Sequence, residues 1–298
     1  MALTTPQQFR ASVESRLSPA AAETGRAVNR TRTLLVMERF LTRMVAVAPD
    51  AFVLKGGLAL ELRLARARTT RDVDVLARGD ADGADALVQR AASFVPAPPD
   101  HIVFSVAPNA DAPEIGGEGV RYHGRRYRVT STIASRPFGD PFGVDIAIAD
   151  AVVGAPEVLE GSDFFARYGI ARLRVPVYPL PTHIAEKIHA LTLPRARPNS
   201  RLKDLVDVAL LSELDGHNAE LLRTAINRTF TFRASHPAPE RLPDPPSGWR
   251  AKYATMQADE RLSWATLYDV QGTARAFLDP VLAGVAGRWE PSSRSWRA

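Results

Sequence analysis

Asp72-Val73-Asp74 is the first stretch whose residue types and spacing could do chemistry. Residues 72–76 read as a strand, and side chains at i and i+2 of a strand share a face, about 6.6–6.8 Å apart along the backbone. Asp72 and Asp74 then point one way while Val73 and Val75 point into a core. Just upstream, the apolar run 51–54 leads into Lys55-Gly56-Gly57. Glycines allow close backbone approach, and a strand, glycine turn and helix in succession is a recurring way to aim backbone N–H groups at an anion. A third carboxylate lies in FGVDIAIAD, where Val144, Ile146 and Ile148 alternate onto one face and Asp145 onto the other. Three strand-borne carboxylates make an oxygen-donor set suited to Mg²⁺ or Mn²⁺. Beside a phosphate-binding turn, such a set could orient a triphosphate and stabilise a leaving pyrophosphate.

Each piece alone has a plainer reading. A lone DxD fits turn carboxylates paired with Arg68 and Arg71, a glycine pair is often just a turn, and Asp145 could be an edge aspartate. Their conjunction carries the argument. Lys187 adds a fourth part. It sits on the apolar stripe Ile184, Ile188 and Leu191 of a helix expected over 182–193. An ammonium there either snorkels to water or points into a cleft and holds a nucleotide phosphate. Farther on, Arg201, Lys203, Asp204 and Asp207 open another helix, and the spacing predicts surface pairs Arg201–Asp204 and Lys203–Asp207. Only Lys55, Lys187, Lys203 and Lys252 among 38 basic residues are lysine, so each poses the question of why a compact ammonium is kept.

The elements that must position these groups follow from periodicity. A helix over 6–18 is expected to stop at Ser18-Pro19, and a second helix to run from about 21 to 47 on the stripe Leu34, Met37, Leu41 and Met44. In the segment after the glycines, Leu58, Leu60, Leu62 and Leu64 alternate like a strand while Leu, Ala, Glu and Arg favour a helix; it is read as a helix because strand, glycine turn and helix is a recurring anion-binding arrangement. A helix over 82–92, a strand over 102–106 and a hairpin tip at Tyr122-His123-Gly124-Arg125, between strands at 119–122 and 126–133, precede the Asp145 strand. One more strand is read at Val175 and Val177. From Pro181 the pattern is almost all helical, interrupted by the proline-rich connector 236–248. The boundary is placed near residue 180, giving a core over 1–180 and a helical lobe over 181–298. With 298 residues, 45% hydrophobic, the chain can bury a large core. No cysteine is present, which excludes disulfides and thiolate metal sites. No secretory signal or bilayer-length apolar run is found, so a cytoplasmic protein without a membrane partner is expected. A net charge of +5 favours polyanionic partners.

LKGGLAL, the run from Arg68 to Asp74, VDIAIAD, HIAEKIHAL and SRLKDLVDV, in this order and spacing, resemble the AbiEii/AbiGii family of toxin nucleotidyltransferases, in the polymerase-β-like superfamily. The resemblance implies an α/β (α+β) bilobed fold with a mixed-sheet nucleotidyltransferase core and a helical C-terminal lobe. It implies transfer of an NMP from an NTP, with RNA, and the 3′ end of tRNA in particular, as acceptor, a consequent block of translation, and a cognate antitoxin. By position, Asp72 and Asp74 match the metal-binding pair and Asp145 the third acidic residue. Lys187 matches the lysine of the A-E-K helix, and Lys203-Asp204 part of a nucleotide-binding element alongside Gly56 and Gly57. Leu58 departs from the family, which commonly has a hydroxyl residue after the glycine pair. Transfer to a protein or small molecule, a non-catalytic nucleotide- or partner-binding module, and a structural basic protein remain open. RNA contact is expected at Arg125, Arg126, Arg128, Arg195 and Arg197. Thr69 and Thr70, beside the metal pair, are candidate phosphorylation sites, because a phosphate there would add about −1.5 to −2 charge.

Overall fold

A computed structural model of the chain describes residues 5–64, 70–115, 123–148 and 150–297. They form two compact units, one drawn from residues up to 115, 123–148 and 156–177, the other from 150–155 and 178–297.

The first unit begins with helices α1 (Pro6–Thr24) and α2 (Val28–Val47). The break expected at Ser18-Pro19 does not occur: α1 passes through Pro19 and stops at Gly25, whose φ of 65° closes the helix. Proline forfeits one helical hydrogen bond, at a cost of about 3 kcal/mol in a helix interior. The stripe Phe9, Val13, Leu17 and Ala21 is buried along the whole length and holds both sides of the proline in one helix. Consequently α2 starts later than expected, at Val28.

Next come β1 (Phe52–Lys55), α3 (Gly56–Arg63), β2 (Asp72–Ala77) and α4 (Ala81–Ser93). Strands β3 (Val103–Pro108), β4 (Glu114–Ile115), β5 (His123–Ile133), β6 (Arg136–Pro137) and β7 (Phe142–Ile148) follow. The unit ends with β8 (Glu157–Glu160) and β9 (Arg174–Val177). One mixed sheet has the order β3-β5-β7-β2-β1-β9-β8, with β4 and β6 attached to β5. The expected hairpin tip is corrected: His123, Gly124 and Arg125 lie inside β5 and pair with Ile148, Ala147 and Ile146 of β7. Tyr122 and the strand expected over 119–122 lie outside the described residues. Strand β8, which alternation did not announce, is an edge strand with Val158 exposed.

One face of the sheet is apolar. Val73, Val75, Val144 and Ile146 are fully buried in a cluster that includes Phe40, Phe104 and Phe142. The same helix, α2, carries Arg39 and Arg43 to the buried Asp100 at 3.0 and 2.6 Å. Two guanidiniums on one carboxylate satisfy charges that could not otherwise be buried. With the apolar face committed to the core, the alternate residues of β2 and β7 are left for the other face.

The second unit holds α5 (Leu180–Thr192), α6 (Leu202–Leu211), α7 (Ala219–Arg233), α8 (Trp249–Glu260), α9 (Leu267–Leu282) and a terminal hairpin of β10 (Arg288–Glu290) and β11 (Ser295–Arg297). Nothing in the sequence pattern announces the hairpin. Trp289 and Trp296 pack on Phe277 of α9 with ring centroids 5.0 and 5.4 Å away, which anchors a two-stranded ribbon too small to stand alone.

Candidate active site

Strand register converts the three aspartates into one arrangement. Strand β2 runs parallel to β7 with Asp74 opposite Asp145 and Asp72 opposite Gly143. Asp72 and Asp74, at i and i+2, share the polar face, so the two strands bring all three carboxylates to it. The row extends outward. Lys55, the last residue of β1, lies opposite Asp74, and Arg126 of β5 lies opposite Asp145. The order across four strands is therefore Lys55, Asp74, Asp145, Arg126: two anions side by side, with a cation at each end. Arg126 Nε donates to Asp145 Oδ2 at 3.1 Å.

Glycines make the room. Gly56, at φ 67°, opens α3 in the left-handed region, and a Cβ there would come within 2.6 Å of Asp74 Cγ. At Gly143 a Cβ would overlap Asp72 Oδ1 and lie 3.3 Å from its Cγ. At Gly57 it would stand 2.8 Å from Thr70 Cβ. The glycine pair thus seats Asp74 and Thr70 against the first turn of α3, whose unpaired N–H groups begin there. Thr70 Oγ1 in turn donates to the Asp72 carbonyl at 3.2 Å. Thr69 lies outside the described residues, as does Arg68. Leu58 is buried in the main apolar cluster; its side chain belongs to the core.

Electrostatics follow the geometry. Burial, then the neighbouring Asp74 and Asp72 charges, push the Asp145 carboxyl up to about 6, against the pull of Arg126. Like charges facing each other favour a proton or a cation between them. That mutual repulsion, with oxygen as the only donor type, fits a hard divalent cation. Among the described residues no three His, Cys, Asp or Glu side chains are grouped as a metal cage. Asp145 Oδ2 is engaged by Arg126 instead.

Lys187 belongs to the second unit. Its Nζ lies 2.7 Å from Asp207 Oδ2 and 3.1 Å from Asp204 Oδ1. The ammonium on the apolar stripe is therefore held by two carboxylates of α6. This corrects the expected Lys203–Asp207 pair, because Asp207 is fully buried and pairs with Lys187. Arg201 does reach Asp204, at 3.6 Å. Of the arginines expected to meet RNA, Arg125 pairs with Glu114 at 2.9 Å, while Arg128, Arg195 and Arg197 are exposed. Arg128 lies opposite Gly143, which in turn lies opposite Asp72.

A second polar cluster, around His189 on α5, looks like nucleophile chemistry but is not arranged for it. Arg233 donates to His189 Nδ1 at 3.4 Å. His189 must then carry its proton on Nε2 and donate to Ser235 Oγ at 2.8 Å. Ser235 passes its proton toward His236 Nδ1 at 2.9 Å. A histidine that donates to serine cannot accept its proton, and burial and Arg233 push His189 down to about 3. The cluster ties α5 to α7, with Arg233 also bonded to Asp150 and Glu186.

The sequence model described as "Nucleotidyl transferase AbiEii toxin, Type IV TA system" matches residues 39–270. The chain belongs to the AbiEii family. The carboxylate strands, Lys187 and α6 all fall within the matched AbiEii region. No curated protein matches the sequence. Among solved structures, MenT4, the nucleotidyltransferase toxin Rv2826c from Mycobacterium tuberculosis H37Rv, is similar at 16% identity and a TM-score of 0.51. The match covers 90% of this chain and 98% of that one. JHP933 from Helicobacter pylori is similar at 18% identity and a TM-score of 0.42, over 82% and 87% of the two chains. The likeness to MenT4 is one of fold, and it agrees with the expected mixed-sheet core. As an AbiEii member, the chain is a nucleotidyltransferase toxin of a type IV toxin–antitoxin system, with a nucleotide substrate and an antitoxin partner. Among the described residues no helix is long and apolar enough to cross a membrane.

Proposed function

We propose that this AbiEii toxin transfers a nucleoside monophosphate from an NTP to a hydroxyl of RNA, with the 3′ end of tRNA as the acceptor, and so blocks translation in the cytoplasm. The observation that carries the reading is the register of Asp74 against Asp145, with Asp72 on the same face. Asp72, Asp74 and Asp145 would hold Mg²⁺ or Mn²⁺, which supplies charge neutralisation at the triphosphate and leaving pyrophosphate. In the reaction the acceptor oxygen bonds to the α-phosphorus as the bond to the bridging oxygen of the β-phosphate breaks. Pyrophosphate leaves, and the hydroxyl proton passes to the Asp145 carboxylate.

The N–H groups of Gly56 and Gly57 at the start of α3 bind phosphate oxygens. Lys187 and Lys203 are assigned phosphate contacts, with Asp204 and Asp207 fixing the Lys187 ammonium. Exposed Arg128, Arg195 and Arg197 meet the RNA backbone, so binding weakens steeply with salt. Thr70 is a point of regulation in this reading. A phosphate on its hydroxyl, beside the Asp72 backbone, repels an incoming triphosphate. Intact-mass spectrometry of toxin coexpressed with its antitoxin tests this, and an unmodified Thr70 in suppressed cells refutes it.

The acceptor is tested by incubating the toxin with α-labelled NTPs, Mg²⁺ and total RNA or total protein. Label enters RNA, and periodate oxidation of the RNA 3′ ends abolishes it. Label confined to protein or to a small molecule, or label that survives oxidation, rejects the 3′-end acceptor.

A further inference from the structure

The two cations that flank the aspartates differ in one respect that bears on how the site works. Lys55 is only 8% exposed, inside the sheet at the end of β1. Arg126 is not confined in this way: its side chain is 36% exposed and that of Asp145 27%. The contact between them runs through Nε, at 3.1 Å to Asp145 Oδ2. Its neighbour Arg125 faces the other side of β5 and is tied to Glu114. Arg128, two residues on, shares the Arg126 face and is exposed across Gly143 from Asp72. Arg126 therefore has a partner it can leave and solvent to leave into, on the face where the carboxylates stand.

We infer that Arg126 is a resident counter-ion, a positioning residue that holds Asp145 until a divalent cation takes that carboxylate, and that then pairs with a phosphate of the bound nucleotide. The inference rests on the nucleotidyl-transfer reading of the three aspartates. A guanidinium and a dication on one carboxylate oxygen repel each other, so each weakens the other's hold. Once displaced, the guanidinium stands beside a triphosphate, the anion its planar donor set matches best. Arg126 thereby opposes metal binding in the absence of nucleotide and supports nucleotide binding in its presence. The free toxin is kept from closing its metal site before a substrate arrives.

These two roles have opposite signs, which makes them separable. Mn²⁺ binding to full-length toxin is measured without nucleotide, by the loss of the free-ion paramagnetic resonance signal. Binding of a non-hydrolysable NTP analogue is then measured by calorimetry at saturating Mn²⁺. Arg126→Gln is expected to bind Mn²⁺ alone roughly fivefold tighter, the scale of a partly exposed ion pair. It should bind the analogue roughly tenfold more weakly. Arg126→Lys, which keeps the charge, should move both quantities less. If Arg126 merely braced the sheet, both affinities would fall together or neither would change, and either result overturns the inference. Wild-type toxin that takes up neither Mn²⁺ nor analogue overturns instead the metal-dependent reading beneath it.

Discussion

Gly143→Ala is a one-methyl test of how the carboxylates are seated. The new Cβ would overlap Asp72 Oδ1 and lie 3.3 Å from Cγ, so the carboxylate has to turn away. Asp72 is exposed, and a change of side-chain torsion into solvent costs about 0.5–1.5 kcal/mol at most. Replacing glycine in a compatible strand returns about 0.4–1 kcal/mol by restricting the unfolded chain. The two offset each other, leaving stability within about 1 kcal/mol and the melting temperature within about 4 °C of wild type. Activity should not be spared. Misplacing a reacting group by about 1 Å can cost about a hundredfold, so labelled-NMP transfer should fall about 10- to 100-fold in a protein that melts normally. Because the methyl acts only through Asp72, adding it to Asp72→Ala should change the rate no further. Transfer by Gly143→Ala within twofold of wild type, or losses that multiply in the double variant, would refute the reasoning.

The other predictions concern stability. Asp207→Ala leaves the Lys187 ammonium with Asp204 as its remaining α6 carboxylate; breaking a buried pair costs about 3 kcal/mol, which calorimetry should show as a fall of about 6–12 °C, whereas a fall under 2 °C would mean the pair is not structural. Glu38 is a half-buried carboxyl of α2 that accepts the Ser162 N–H at 2.8 Å and lines a cavity of about 480 Å³ with Arg16, Asp163 and Phe164. Burial pushes it up to about 7, despite Arg39, Arg26 and Arg172. A carboxyl raised in the folded state gives stability that is present in full below its ordinary value near 4.5 and is lost as pH rises through about 7. The swing is at most about 3 kcal/mol. Chemical denaturation between pH 4.5 and 8 should show it, and Glu38→Gln should flatten it; an equal slope in both proteins contradicts the assignment.

Much of the site was legible because strand periodicity is rigid. Once 72–76 is a strand, Asp72 and Asp74 must share a face, and the apolar alternation around Asp145 puts it on the polar side of its own strand. What lies opposite each aspartate was not legible. The Asp74–Asp145 pairing joins strands about 70 residues apart, and register is set by the whole sheet. For that reason the sequence presents Lys55 only as a retained lysine and Arg126 only as one of several basic residues suited to RNA. The partner of Lys187 is not visible in the sequence, where i,i+4 spacing points to Lys203–Asp207 within α6; burial turns Asp207 inward toward α5 instead. Pro19 does not break α1, since propensity loses to a buried stripe that continues on both sides. Edge strand β8 and the β10–β11 hairpin carry too little alternation to announce themselves, and the hairpin depends on tryptophans packing on a distant helix.

The central claim is that the Asp72, Asp74 and Asp145 face carries out nucleotidyl transfer. Its most direct test compares full-length toxin with Asp145→Asn, matched in melting temperature, for incorporation of α-labelled NMP into total RNA with Mg²⁺ present. Robust labelling by the wild type and a loss of at least about a hundredfold in Asp145→Asn are expected. Labelling that persists undiminished in the asparagine variant, or wild-type protein that labels nothing, would contradict it.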